Sequence, residues 1–147
     1  MLNPNKKNEI LYLLRYLHKV IDKDFDNRLA EYDLTGQQGR LLFFIACKTN
    51  YENMEVHQND IENEYHLSKS TVSGLVKRLE KKGVITIEKQ HPYAILRPSD
   101  IGNEIIDHLR NKRKESIDTL LNGFSDEEKE NLIEYVNRLI ENMEGGN

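Results

Sequence analysis

The run Leu67-Ser68-Lys69-Ser70-Thr71-Val72-Ser73-Gly74-Leu75-Val76-Lys77-Arg78-Leu79-Glu80-Lys81-Lys82-Gly83-Val84-Ile85 constrains this chain more than any other stretch. Val72, Leu75, Val76 and Leu79 recur at i, i+3, i+4 and i+7, so on a helix they form one apolar stripe. Ser70, Thr71, Ser73, Lys77, Arg78 and Lys81 then fall on the other side. Ser68 is a suitable N-cap, since its hydroxyl can accept from the unpaired amides of a first helical turn. Gly83 follows the cationic turn Lys81-Lys82 and can take the left-handed conformation that ends a helix. A helix over Lys69 to Lys82 is predicted, with one side for a core and one side of hydroxyls and cations suited to a DNA groove.

Net charge argues against a nucleic-acid partner until its distribution is counted. The chain carries 21 Lys+Arg and 25 Asp+Glu, a formal −4. Between His66 and Arg97, however, stand seven cations (Lys69, Lys77, Arg78, Lys81, Lys82, Lys89, Arg97) and two anions (Glu80, Glu88), a local +5 that leaves −9 for the remainder. A basic island on an acidic body fits a protein that meets phosphate with one surface.

Both flanks of the island read as long helices. From about Pro4 to Tyr32 the apolar residues Ile10, Leu13, Leu14, Leu17, Val20, Ile21, Phe25 and Leu29 keep helical spacing. At roughly 1.5 Å per residue such a helix reaches about 40 Å, more than a small domain needs for its own core, and a second chain would cover the excess. Thr35 caps the next helix, whose buried side is Leu41, Leu42, Ile45 and Ala46 and whose end lies near Thr49-Asn50. Tyr51-Glu52-Asn53 reads as a loop and Met54-Glu55-Val56 as a short extended segment. A helix starting near His57 turns Ile61 and Tyr65 inward, and His66-Leu67-Ser68 is the turn into the basic helix. Val84 to Lys89 and Tyr93 to Arg97 are β-branched and aromatic-rich, and Gln90-His91-Pro92 joins them, which predicts a hairpin. Pro98-Ser99-Asp100 stops that hairpin and caps a helix with Ile101, Ile105, Ile106, Leu109, Ile117, Leu120 and Leu121 as its apolar positions. Gly123 to Asp126 breaks it, and Ser125 with Glu128 forms a capping box for a last helix carrying Leu132, Ile133, Val136, Leu139, Ile140 and Met143.

The fold class is therefore mainly α with a small β-hairpin wing: a winged helix-turn-helix flanked by long N- and C-terminal dimerisation helices. The expected divisions are an N-terminal dimerisation helix over 1–33, the DNA-binding lobe over 34–97, and C-terminal dimerisation helices over 98–147. No apolar run is long enough to span a bilayer, no signal peptide is read at the N-terminus, and the single Cys47 forms no intrachain disulfide. Cytoplasmic residence is the simple expectation. There is no G-x-S-x-G, Walker loop, H-E-x-x-H or dinucleotide fingerprint, so no catalytic residue, metal site or cofactor is assigned.

Element order, together with Gln58-Asn59-Asp60-Ile61, Leu67 to Ser73 and Leu79-Glu80-Lys81-Lys82-Gly83-Val84-Ile85, resembles the MarR/SlyA-type transcriptional regulators. The resemblance implies an intertwined homodimer whose two lobes read successive major grooves of a pseudo-palindromic operator. Its most direct form is a repressor released by a small-molecule effector; the competing class is a winged-helix protein-interaction module without DNA readout. Two positions depart from the family pattern: the wing tip Lys89-Gln90-His91-Pro92 is short and lacks arginine, and Gly74 stands where a larger polar residue is usual.

Residues at the start of a recognition helix reach base edges, so Lys69, Ser70, Thr71 and Ser73 are the specificity candidates. Lys77, Arg78, Lys81 and Lys89 are assigned to phosphates, with Gln58 a further phosphate candidate at the preceding helix. Tyr12, Arg15, Tyr16 and Tyr32 are candidates for a cavity taking a small aromatic or anionic effector. Cys47 lies in an apolar run and reads as packing rather than as a redox sensor. Glu104 and His108 stand at an i, i+4 ligand spacing, which does not by itself make a metal site. The expected partners are double-stranded DNA, a second copy of the chain and that effector, with no membrane.

Overall fold

In the computed structural model, residues 6–90 and 92–145 are described. They form α1 (Lys6–Ala30), α2 (Gly36–Asn50), α3 (Gln58–Tyr65), α4 (Lys69–Lys81), β1 (Ile85–Lys89), β2 (Ala94–Pro98), α5 (Asp100–Leu120) and α6 (Asp126–Gly145). Two compact units result, one ending at Leu109 and the other beginning at Arg110, so that the boundary falls inside α5.

The first unit holds the core. Leu41, Leu42, Ile45 and Ala46 of α2 are buried, as are Ile61 of α3, the stripe Val72, Leu75, Val76 and Leu79 of α4, and Ile105, Ile106 and Leu109 of α5. α1 adds buried Leu29 and partly buried Phe25 near its end; Ile10, Leu13, Leu14, Leu17, Val20 and Ile21 stay exposed. Each core helix has the start its sequence prescribes. Thr35 and Gln38 form a reciprocal box, with Gln38 N donating to Thr35 Oγ1 at 3.2 Å and Thr35 N donating to Gln38 Oε1 at 3.1 Å. His57 caps α3, and its backbone amide donates to Asp60 Oδ2 at 2.8 Å.

The hairpin is antiparallel, with Ile85 opposite Pro98 and Lys89 opposite Ala94. The first strand begins one residue later than expected, with Val84 buried but outside β1, and the second is displaced by one, with Tyr93 before β2 and Pro98 within it. The extended segment expected over Met54 to Val56 is reduced to one bridge, Leu96 N to Val56 O at 2.8 Å. The chain turns through left-handed Asn53 just before it, and His57 just after it already caps α3, which leaves Val56 alone against β2. Ile101 also departs from expectation, being 57% exposed, because the side of α5 that meets the core is Gly102, Ile105, Ile106 and Leu109.

Gly102 is the tightest point of the first unit. Ser99 caps α5, accepting from Gly102 N at 3.0 Å, and Ser99 N donates to Val84 O at 3.0 Å. That holds the first turn of α5 against the strand entry, where a Cβ on Gly102 would lie 2.0 Å from Val84 O.

In the second unit, the remainder of α5 and α6 are joined through Gly123 at φ +85°. Ser125 and Glu128 form the expected capping box, with Ser125 N to Glu128 Oε1 at 3.0 Å and Glu128 N to Ser125 Oγ at 3.1 Å. The hydrogen bond from the Ser125 backbone, and then that with its side chain, holds the Glu128 carboxyl below its ordinary range. The apolar positions expected to pack α6, from Leu132 to Met143, are exposed in the single chain, and no residue of α6 is buried.

Replacing Gly102 by Ala should destabilise the protein by about 3 kcal/mol, the upper end of typical overpacking costs, because backbone rather than a side-chain tip must yield. The expected readout is a lower urea midpoint with an unchanged m-value; an unchanged midpoint would contradict the close approach.

Candidate nucleic-acid interface

The sequence of α4 dictates which of its sides faces out. Val72, Val76 and Leu79 are fully buried and Leu75 is 4% exposed. With that stripe inward, Lys69, Ser70, Thr71, Lys77, Arg78 and Lys81 are exposed, and Ser73 and Gly74 are half-buried at the margin. All eight residues thus share the outer side of one helix.

Both ends of α4 are fixed. His66 adopts the left-handed conformation at φ +51°, which ends α3 and lets the chain turn within two residues. Ser68 Oγ accepts from Thr71 N at 3.2 Å. The same hydroxyl lies 2.8 Å from Thr71 Oγ1 and 3.3 Å from Ser70 Oγ, so the hydroxyls of the first turn share the cap and are held at the helix entry. At the other end the helix closes one residue earlier than expected, at Lys81. Lys82 is the C-cap, with Gly83 N donating to Glu80 O at 2.9 Å and Gly83 at φ +76°.

The cations divide into two groups. Among the described residues, the side chains of Lys69, Lys77, Arg78, Lys81 and Lys89 have no ion-pair or hydrogen-bond partner. Lys82 and Arg97, counted equally in the island, are engaged. Lys82 Nζ donates to Asp33 O and, at 3.0 Å, to Gln38 Oε1. Arg97 pairs with Glu88 across the hairpin, and Gln90 Nε2 donates to the same carboxylate at 2.8 Å. The hydrogen bond with Arg97, reinforced by that with Gln90, keeps the Glu88 carboxyl below its usual range. Lys89 is thus the free cation on the strands of the wing, and His91 at the tip lies outside the described residues.

Gln58 is half-buried in the first turn of α3, one residue after its cap. There His57 Nδ1 lies 3.0 Å from Ala94 O and the His57 ring 5.5 Å from that of Tyr93, joining the helix entry to the start of β2 beside the hairpin turn. Gly74 faces open space, with nothing within 4 Å of a Cβ built on it. Cys47 is half-buried on α2.

The four effector candidates do not converge within the chain. Tyr12 and Tyr16 stack with ring centroids 6.2 Å apart on the exposed part of α1, beside exposed Arg15. Tyr32 follows the far end of that helix, roughly 25 Å away at 1.5 Å per residue. Its ring meets His108 edge-on at 5.6 Å, and its hydroxyl is buried with no hydrogen-bond partner. Tyr32 lines a cavity of about 430 Å³ with Lys82, Val84, Ile101, Glu104, Ile105 and His108. Glu104 and His108 thus share a wall, and among the described residues no three His, Cys, Asp or Glu gather as metal ligands would.

Three residues that shape this region were not singled out from sequence: Lys82 as an inward anchor, Asp33 and Gln38. The Thr35-x-x-Gln38 capping box was readable; the partner that Gln38 finds on α4 was not.

Residues 32–92 match the model of the MarR family. A Bacillus subtilis (strain 168) protein, described as the uncharacterized HTH-type transcriptional regulator YybA, is 26% identical over 140 residues, 93% of this chain and 90% of that protein. The structure of a MarR family protein from Bacillus stearothermophilus superposes with a TM-score of 0.75 at 25% identity, covering 97% of this chain and 99% of that one. Staphylococcus aureus MepR, a transcription regulator of the multidrug efflux pump MepA, gives 0.77 at 22% identity over 90% of this chain and 96% of its own. The complex of MepR with DNA gives 0.70 at the same identity and the same two coverages.

Changing Ser68 to Ala should cost about 1 kcal/mol through loss of the cap. Gly74→Ala should stabilise the protein by up to about 1 kcal/mol, since it gains helix propensity in open space. Denaturant titration of the two variants reads both signs, and equal shifts in the same direction would contradict this account of α4.

Proposed function

We propose that this chain, whose residues 32–92 match the MarR-family model, is a member of that family: a sequence-specific, double-stranded DNA-binding transcriptional regulator acting as a homodimeric repressor that a small-molecule effector releases. The observation that carries this reading is the division of α4: an aliphatic stripe locked in the core, and outward a helix entry of hydroxyls followed by cations with no internal partner. A cation left free at the surface is available to displace counterions from phosphate.

In the proposed complex α4 lies in the major groove. Lys69, Ser70, Thr71 and Ser73, at its N-terminal end, reach base edges. Lys77, Arg78 and Lys81 further along, Lys89 on the wing and Gln58 at the entry of α3 hold phosphates, which sets register and affinity rather than sequence. Arg97 is tied to Glu88, so the wing adds little positive charge and discrimination rests on α4. That MepR has been captured on DNA supports the use of this fold on duplex.

The exposed aliphatic rows of α1 and α6 supply the surface for the second copy. On B-DNA, half-sites on one face lie about 34 to 36 Å apart, so a dimer reads two grooves only while its arms hold α4 and its twin at that spacing. The cavity beside Tyr32 is the candidate seat of an effector. An occupant relieves repression only through different affinities for the DNA-competent and incompetent arrangements.

Duplex affinity measured against ionic strength tests the proposal. The logarithm of the binding constant should fall linearly with that of salt concentration. Lys77→Ala and Arg78→Ala should each flatten the slope by about 0.9 per lost phosphate contact, or about 1.8 in a dimer. Absent or salt-insensitive duplex binding would instead favour a winged-helix interaction module.

A further inference from the structure

Lys82 is the one member of the basic island whose ammonium joins three helices. It follows Lys81 directly and caps the C-terminus of α4 through its backbone. Its side chain, 29% exposed, folds back over the α1–α2 corner, where the Asp33 side chain is 99% exposed. Nζ donates to Asp33 O and to Gln38 Oε1, and lies 3.7 Å from the Asp33 carboxylate.

Both acceptors are prepared for it. Asp33 takes the left-handed conformation at φ +56°, where the chain closes α1 with Asp33 N on Ala30 O at 3.0 Å and Leu34 N on Leu29 O at 3.1 Å. The ammonium therefore sits at the negative end of α1, where a helix dipole favours a cation. Gln38 is the only buried polar side chain in the described core, at 7% exposure. One lone pair of its Oε1 takes Thr35 N in the cap of α2, and the other takes Lys82. The end of α1, the start of α2 and the end of α4 thus meet on one charge.

We infer that Lys82 is a positioning residue: it sets the tilt of α4 relative to the α1–α2 corner, and through it the distance between the two recognition helices of a DNA-bound dimer. The inference rests on the regulator reading above. Lys69, at the reading end of α4, is roughly 20 Å from this anchor at 1.5 Å per residue. A tilt of about 10° about the anchor moves that end by about 3 Å, the length of a hydrogen bond. Lys82 therefore contributes to spacing selectivity without touching phosphate.

Lys82→Met keeps the aliphatic stem and removes the donors, and Lys82→Arg keeps a donating cation. Duplexes carrying two half-sites at the preferred spacing, or with one base pair added or removed, separate the roles. The Met variant should bind the preferred duplex about tenfold more weakly, a loss of about 1.4 kcal/mol. It should lose much of its preference over the altered spacings and keep the wild-type salt slope; the Arg variant should restore the preference. Amide hydrogen exchange without DNA should rise in the Met variant at both the last turn of α4 and the Asp33–Gln38 corner. A salt slope flattened as for a lost phosphate contact would overturn the inference, since Lys82 would then touch DNA. Unchanged affinity and spacing preference would also overturn it. If the wild-type chain binds no duplex, the regulator reading and the spacing claim fail together; exchange that stays unchanged at either site refutes the anchor itself.

Discussion

Burial of one aliphatic stripe on α4 governs the rest of the structure. Val72, Leu75, Val76 and Leu79 are each worth about 1.5–3 kcal/mol when removed from water. Together they fix the rotation of the helix about its own axis, because a turn of one residue swings every side chain by about 100° and would place lysines in the core. The outward side follows from the inward one. Ser68 fixes where the helix begins, Gly83 where it ends, and left-handed His66 the sharpness of the turn that delivers it.

The features written in local sequence were the legible ones. Periodicity located all six helices, and the two capping boxes, Thr35 with Gln38 and Ser125 with Glu128, formed between residues three apart as their chemistry requires. Contacts between distant parts of the chain were not legible. Lys82 and Arg97 counted in the basic island like its other cations because formal charge carries no information about partners, yet one is bound by Asp33 and Gln38 and the other by Glu88. Nothing local in sequence marks Gly102, and it is the carbonyl of Val84, distant in the chain, that leaves no room for a Cβ there. Tyr32 was grouped with Tyr12, Arg15 and Tyr16 as aromatic and cationic residues of one region, and the length of α1 separates them. The candidate residues of α4 could be placed together on one outer side from sequence because that placement depends on one helix and its cap.

The two units differ in how far the chain satisfies itself. The first closes a core of its own. The helices outside it, α1 over most of its length and α6 throughout, display aliphatic rows to solvent. A second copy supplies the complement in the proposed dimer, and the same pairing determines how far apart two α4 helices stand. Affinity, carried by unpartnered lysines and an arginine, and geometry, carried by the arms and the Lys82 anchor, then become separate properties of one molecule.

Hydroxyl-radical footprinting of a selected duplex at saturating protein tests that account most directly, because it reads how many lobes engage and at what separation. The account predicts two protected patches on one face of the helix, centred about 10 base pairs or a multiple of that apart. A single patch that does not acquire a partner as protein concentration rises would contradict it.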